Sequence, residues 1–221
     1  MKRLNENPCI EYPEVAYAYN FAKRKHDDTG AIRKNTGKPY FVHPEMVADV
    51  VAAYGGTDAE IEAALLHDTL EDTDTTAEEL EAVYGPTVAQ IVEEVTNFQP
   101  DVDRLGKESY INQELLELSN SALLVKVADM VCNLQDAPKP GQKERLIRNL
   151  EYLLDFRDDL DPRVRRLLKS VPEIEDKYDL DVSEADVSLD ADDFDEDDYA
   201  EYLTASLKRS EKRIVESTKK L

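Results

Sequence analysis

No stretch of the sequence approaches the run of about eighteen apolar residues that marks a membrane-spanning helix, and Met1 to Asn7 is polar, without the apolar centre of a secretory signal. Neither a membrane span nor export is expected, so the chain is expected to work in the cytoplasm. Cysteine is nearly missing: Cys9 and Cys132 stand far apart, neither within a metal-binding spacing. That excludes a disulfide framework and suits a reducing compartment. Alternating apolar and polar residues, the mark of strands, are scarce, and no regular repeat signals a solenoid. Basic residues are in deficit, 27 Lys and Arg against 49 Asp and Glu, for a formal charge of −22. Such a surface repels a polyanion, so general nucleic-acid binding is excluded.

What is present is enough for one good-sized core: 221 residues, 41% of them hydrophobic. Small and apolar residues recur at three- and four-residue spacing from Glu14 to His26 (Val15, Ala18, Tyr19, Ala22), which predicts a first amphipathic helix ending near Asp28. Gly30, Gly37 and Pro39 make Thr29 to Pro39 a loop, anchored into the core by Tyr40 and Phe41. Further helices are predicted at Pro44 to Tyr54, Asp58 to Leu70 (capped by Thr57 or Asp58), Thr76 to Tyr84 and Pro86 to Asn97. A polar connection follows around Pro100 to Gly106. Then come helices through Tyr110 to Leu118, Ser121 to Asp136, Leu146 to Leu154 and Val164 to Leu168, with a break at Pro138 to Gly141. The expected fold is all-α, a compact multi-helix bundle.

Two segments depart from the average. Lys23 to Lys38 holds Lys23, Arg24, Lys25, Arg33, Lys34 and Lys38 against only Asp27 and Asp28, a cationic patch in an acidic protein. Ser183 to Asp198 is a run of Asp and Glu, read as an acidic linker, after which Tyr202, Leu203, Leu207 and Val215 restore helical periodicity in a more basic tail. Residues 1–180 are thus read as one domain and 181–221 as linker and C-terminal helix, the tail being free to fold back on acidic surface or to meet a protein partner.

Histidine occurs only three times, and two of the three open or close helices: His43 opens one and His67-Asp68 closes another. Imidazoles combined with carboxylates form a mixed nitrogen and oxygen donor set that suits Mn, Fe or Zn, whereas Mg prefers oxygen alone. Asp129 is the candidate for a further ligand, because it interrupts the otherwise apolar Val125 to Leu134, with Lys126 and Asn133 on the same helical face. Glu71 and Asp72 lie four residues after His67 and Asp68, on matching stripes if the helix persists, where they can orient a water or shuttle a proton. A metal-activated water then removes the need for a Ser or Cys nucleophile. Taken singly, each residue has a plainer reading. His67-Asp68 is a satisfied pair, His43 a helix-start residue before Pro44, Asp129 an ion-pair partner of Lys126, and Glu71 with Asp72 the end of an acidic surface. Lys23, Arg24, Lys25 and His26 read as a solvated face.

Together these motifs resemble a family. Arg33-Lys34-Asn35-Thr36-Gly37-Lys38-Pro39-Tyr40-Phe41-Val42-His43-Pro44 is similar to the first signature of Rel/SpoT hydrolase domains, His67-Asp68-Thr69-Leu70-Glu71-Asp72-Thr73 to their HDxxEDT element, and Lys126 to Asp129 with Asn133-Leu134 to their KLAD…NL element. The likeness runs from about Val15 to Phe156. It is closest in kind to the small stand-alone alarmone hydrolases of the metazoan SpoT homologue type, so the bundle is expected to be an HD domain. The resemblance implies that His43, His67, Asp68 and Asp129 hold one ion, typically Mn2+, and that Glu71 and Asp72 are the catalytic pair. It further implies that Arg33 stacks on the guanine base, that Asn133 contacts the nucleotide and that Lys34 meets phosphate. The implied reaction removes pyrophosphate from the 3′ position of ppGpp or pppGpp to leave GDP or GTP. Alternatives are an HD phosphohydrolase acting on NADPH, a dNTP or another nucleotide, a non-catalytic alarmone-binding module, and an acidic protein that imitates nucleic acid.

Overall fold

The computed structural model describes residues 13–136, 138–178 and 180. The expected acidic linker and C-terminal helix, and Cys9, lie outside the described residues. Among these residues all regular structure is helical apart from one antiparallel bridge between Ile32 and Pro39. The helices are α1 (Pro13–Thr29), α2 (Val42–Ala53), α3 (Asp58–Leu66), α4 (Thr69–Asp72), α5 (Ala77–Val95), α6 (Gln99–Leu105), α7 (Lys107–Glu117), α8 (Asn120–Gln135), α9 (Pro140–Phe156), α10 (Pro162–Lys169) and α11 (Pro172–Glu175).

Two helices form the centre because their sequences leave no polar stripe for solvent. In α3 the run Ala63 to Leu66 is wholly buried, and α3 packs against α1, α2, α5 and α8. In α8 every residue from Ala122 to Ala128 is buried, and α8 packs against α2, α3, α5, α9 and α10. Burial of these runs makes the two helices a packed platform for the side chains they carry. A capping box starts α3: the Glu60 amide donates to the Thr57 hydroxyl, and the Thr57 amide donates to the Glu60 carboxylate at 2.7 Å. Arg163 of α10 clamps the same carboxylate at 2.7 Å. Before it, Gly56 lies so close to Val51 that an added Cβ meets the Val51 carbonyl oxygen at 2.8 Å, which only glycine avoids.

Several expectations need correction. The helix from Asp58 stops at Leu66, not Leu70, and the chain turns through His67 and Asp68 before the single turn α4. His67 Nδ1 donates to the Ala64 carbonyl at 2.8 Å and Thr69 Oγ1 to the Leu66 carbonyl at 2.7 Å, taking acceptors that a continuing helix offers to backbone N–H groups. The segment expected as a polar connection at Pro100 to Gly106 contains α6. It buries no residue, so it carries no apolar periodicity; Pro100 in its first turn and an Asp101–Arg104 ion pair support it instead. The break expected at Gly85-Pro86, by contrast, is present: Gly85 at φ 82° and ψ 169° is non-helical and divides α5 into two helical pieces. The break at Pro138 to Gly141 is shorter than expected, because Pro140 and Gly141 already form the first turn of α9. His26 is not on a solvated face. It is 1% exposed and packs against Tyr40 and Phe41, while Lys23 pairs with Asp27 on the outer side of α1.

Candidate active site

Three separately anchored pieces of backbone meet at one point. His43 enters from the first turn of α2, His67 and Asp68 from the turn that ends α3, and Asp129 from the middle of α8. His43 Nε2 lies 2.8 Å from Asp129 Oδ1 and 3.9 Å from Asp68 Oδ2; His67 Nε2 lies 3.1 Å from Asp68 Oδ2 and 3.9 Å from Asp129 Oδ1. One ligand atom each from His43, His67 and Asp129 fits within 4.8 Å of the others, close enough to share one ion.

The state of His67 tests whether such an ion fits. The Ala64 carbonyl can only accept, so Nδ1 carries the hydrogen and Nε2 presents its lone pair. That buried Nε2 makes no well-directed hydrogen bond, and the atom nearest it is the Asp68 carboxylate oxygen at 3.1 Å, so either a proton or a cation must stand between them. A carbonyl behind one ring nitrogen and a free lone pair on the other is the arrangement that metal-binding histidines adopt. The donors therefore fit a divalent cation of the Mn, Fe or Zn type.

Electrostatics agree. Burial opposes protonation of His67, but the adjoining Asp68 carboxylate, and then Asp129, raise its pKa from 6.5 to about 9. Burial likewise opposes ionisation of Asp68, which His67 and then His43 hold well below the usual carboxylate range. The site demands positive charge, and without an ion a proton supplies it. A raised histidine pKa gives stability that is complete below the unfolded value of 6.5 and lost as pH rises through about 9. Metal-free protein is expected to melt at lower temperature at pH 9.5 than at pH 6.5, by at least about 3 °C, in calorimetry. His67→Gln is expected to flatten that slope. His26, whose pKa burial depresses, titrates below 6.5 and leaves this window clear.

Around this centre lies a cleft of about 670 Å³, lined by Arg33, Lys34, Tyr40, Glu71, Asp72 and Asn133 among others. The turn that carries Arg33 is closed by backbone bonds from Arg33 N to Lys38 O and from Tyr40 N to Ala31 O. Sequence reasoning placed Glu71 and Asp72 correctly at the cleft but missed what holds Glu71. The backbone amide and side-chain amide of Asn97 both donate to Glu71 Oε1, at 2.7 and 2.8 Å. Glu71 is exposed at the cleft; partial burial of its carboxyl, and the charge of Asp68, raise its pKa against the lowering effect of Asn97. The reading of Asp129 as a partner of Lys126 does not hold: Lys126 Nζ donates to the Val95 carbonyl at 2.9 Å and sits 3.0 Å from Glu114. Asp129 accepts instead from Asn133 Nδ2 at 2.6 Å.

Asp136 and Tyr40 were also missed as site residues. Arg33 Nε donates to Asp136 Oδ2 and Nη2 to Asn133 Oδ1, both at 2.7 Å, and the guanidinium lies 5.5 Å from the centre of the Tyr40 ring. These bonds fix the plane of Arg33 at the cleft wall. The Tyr40 hydroxyl donates to Asp68 Oδ2 at 2.8 Å; burial, with the charges of Asp68 and Asp72, drives its pKa far above the ordinary phenol value, so it remains a donor. On the opposite side the cleft reaches Lys107, Lys139, Gln142 and Arg145. Their only signal in the sequence was charge, diluted among many charged residues.

A helical bundle in which two histidines and two aspartates from separate helices converge beneath a polar cleft defines a metal-binding hydrolase domain of HD type. This chain belongs to the HD domain family, whose model matches residues 18–152. Among its relatives is the guanosine-3′,5′-bis(diphosphate) 3′-pyrophosphohydrolase MESH1 of Danio rerio, 45% identical over 130 residues, or 58% of this chain and 71% of the relative. The guanosine-3′,5′-bis(diphosphate) 3′-pyrophosphohydrolase of Aquifex aeolicus is 46% identical over 101 residues, 46% of this chain but 13% of that longer protein. A solved structure described as a metazoan ortholog of SpoT that hydrolyses ppGpp superimposes with a TM-score of 0.58 at 24% identity, over 71% of this chain and 94% of the other, and so shares the fold.

Proposed function

We propose that the protein is a Mn2+-dependent hydrolase that removes the 3′-pyrophosphate of ppGpp or pppGpp, giving GDP or GTP. The observation that carries this reading is the convergence of His67 Nε2 and His43 Nε2 on the Asp68 and Asp129 carboxylates in a cleft lined with cations. Curated relatives with the same activity in their names support the choice of substrate.

His43, His67, Asp68 and Asp129 are the residues that would hold the ion. When bound there, a divalent ion polarises a phosphoryl oxygen and acidifies water. The chain's own residues do the rest. Arg33, held flat by Asp136 and Asn133, lines the cleft and would stack on the guanine there, and Asn133 lines the same cleft. A substrate with diphosphates on both the 3′ and 5′ oxygens needs positive charge at both ends. Lys34, Lys107, Lys139 and Arg145 all line the cleft and would supply it. Glu71, with its raised pKa, accepts the proton of the attacking water, whose oxygen adds to the phosphorus on the 3′ oxygen. The 3′ O–P bond breaks, the 3′ oxygen regains a proton and pyrophosphate leaves. Asp72 orients the water. Asn97 fixes Glu71 for this exchange.

Among the described residues no helix is long and apolar enough to cross a membrane. We place the enzyme in the cytoplasm, where its nucleotide substrate would be found and where the buried thiol of Cys132 stays reduced. A protein partner for residues 181–221 remains part of the proposal.

The test is a comparison of kcat/KM for ppGpp, pppGpp, NADPH and dATP with purified protein and Mn2+. Preference for the guanosine tetra- and pentaphosphates by at least tenfold is expected. A preference for NADPH or dATP keeps the centre and overturns the substrate. Asp136→Ala is expected to raise KM for ppGpp about tenfold or more with kcat within about threefold, because a charge-assisted bond orienting Arg33 is lost. An unchanged KM removes the stacking role assigned to Arg33.

A further inference from the structure

Tyr40, like Asn133, touches both the metal-site carboxylates and the Arg33 guanidinium. Its hydroxyl donates to Asp68 at 2.8 Å, while its ring carries the Arg33 guanidinium at 5.5 Å from the centroid. Behind the ring, His26 lies 5.2 Å away, centre to centre, with planes inclined by 30°. His26 is buried, and neither of its ring nitrogens has a hydrogen-bond partner, so it serves no polar network. Its value at that position is a flat, slot-filling plate. The plate is itself tied down, since the hydroxyl of Thr29 donates to the His26 carbonyl at 2.8 Å where α1 ends. The Tyr40 amide, bonded to Ala31 O at 3.0 Å, fixes the other side of the turn.

We propose that Tyr40 is a positioning residue that couples the metal centre to the nucleotide clamp, with His26 as its back wall. The hydroxyl sets the rotation of the Asp68 carboxylate, so that Oδ2 faces His67 Nε2 at 3.1 Å and His43 Nε2 at 3.9 Å. The ring holds Arg33 from below, leaving its other face for a base. From the side of Asp68, Tyr40 thus sets the distance between cation and base that Asn133 sets from the side of Asp129, and that distance selects a nucleotide whose scissile group lies a set span from its purine. This rests on the reading of the cleft as a metal- and nucleotide-binding site.

The hydroxyl and the ring can be separated by mutation. Full-length wild type, Tyr40→Phe, Tyr40→Leu and His26→Phe are compared after circular dichroism shows equal helicity. Mn2+ binding to metal-free protein is followed by the electron paramagnetic resonance of free Mn2+, and GDP binding to metal-free protein by calorimetry. Removing an outer partner of a metal ligand typically weakens metal binding by about 10- to 100-fold, so Tyr40→Phe is expected to raise the Mn2+ Kd by about tenfold or more. The GDP Kd of Tyr40→Phe stays within about twofold, because the ring remains under Arg33. Tyr40→Leu is expected to weaken both, with GDP binding falling by about fivefold or more. His26→Phe, which keeps a flat plate, binds both ligands as wild type does. A Mn2+ Kd unchanged in Tyr40→Phe, or GDP binding equal in the Phe and Leu variants, overturns the proposal while leaving the proposed function intact. Wild type that takes up neither manganese nor GDP removes the reading beneath it, and the proposal with it.

Discussion

Asp129→Asn is expected to abolish stoichiometric metal binding and to lower kcat/KM for ppGpp by roughly three orders of magnitude, equivalent to about 4 kcal/mol of transition-state stabilisation. Asp129 lies nearest to His43 and within ligand distance of His67, and the replacement keeps its shape while removing the charge. The bundle should survive. The helix that carries Asp129 is held by its apolar faces, and an amide can still take part in the bond with Asn133 Nδ2 at 2.6 Å. Elemental analysis after dialysis should find close to one manganese per wild-type chain and almost none in the variant, with circular dichroism spectra that coincide. A variant that keeps both its metal and its turnover would remove Asp129 from the ligand set.

Glu71→Gln is expected to leave metal binding unchanged and to lower kcat by about 10²- to 10⁴-fold with KM for ppGpp within about threefold, the usual range for loss of a general base. The substitution keeps the hydrogen bonds from Asn97, because a glutamine oxygen can accept from both of its donors. What is lost is the carboxylate whose pKa burial has raised, the property that lets it take a proton from water near neutral pH. Single-turnover kinetics with manganese separates this outcome from the first: the variant binds metal and nucleotide and fails in the chemical step. Equal loss of manganese in Glu71→Gln would make Glu71 a ligand and contradict the assignment.

How far the sequence announced this site depends on how far apart its parts are. His67 and Asp68 are neighbours, and Asp129 stands out inside an apolar helix, so spacing and contrast revealed them. Glu71 and Asp72 were found through a helix that in fact stops at Leu66. The Asp68–Asp72 relation survives through a backbone bond of 2.9 Å, whereas the Glu71 carboxylate turns to Asn97. Asn97 and Asp136 were invisible because their roles arise from contacts with residues 26 and 103 positions away. His26 was misplaced for a related reason: basic neighbours suggest solvent, but successive residues on a helix point about 100° apart, so a charged neighbour says little about direction. Helix α6 carries no buried side chain, and the periodic signal used to find helices reports burial, not helicity.

The burial of α3 and α8 was legible for the opposite reason. Continuous apolar runs such as Ala63 to Leu66 and Leu123 to Val125 can only lie inside a bundle of this size. Those two helices place His67 and Asp129, and the turn bearing Arg33 and Lys34, closed by its own backbone bonds, forms the facing part of the cleft. Side chains held by packed helices and by their own hydrogen bonds suit a site in which phosphate position must be exact and the base is gripped by stacking.

The most direct test of the account is product analysis with metal-stripped protein titrated with Mn2+ in the presence of ppGpp. The account predicts no turnover without metal, and GDP and pyrophosphate in equal amounts once about one equivalent is bound. Loss of pyrophosphate from the 5′ end to leave guanosine 3′-diphosphate, or ppGpp that binds and remains intact at saturating manganese, would contradict it.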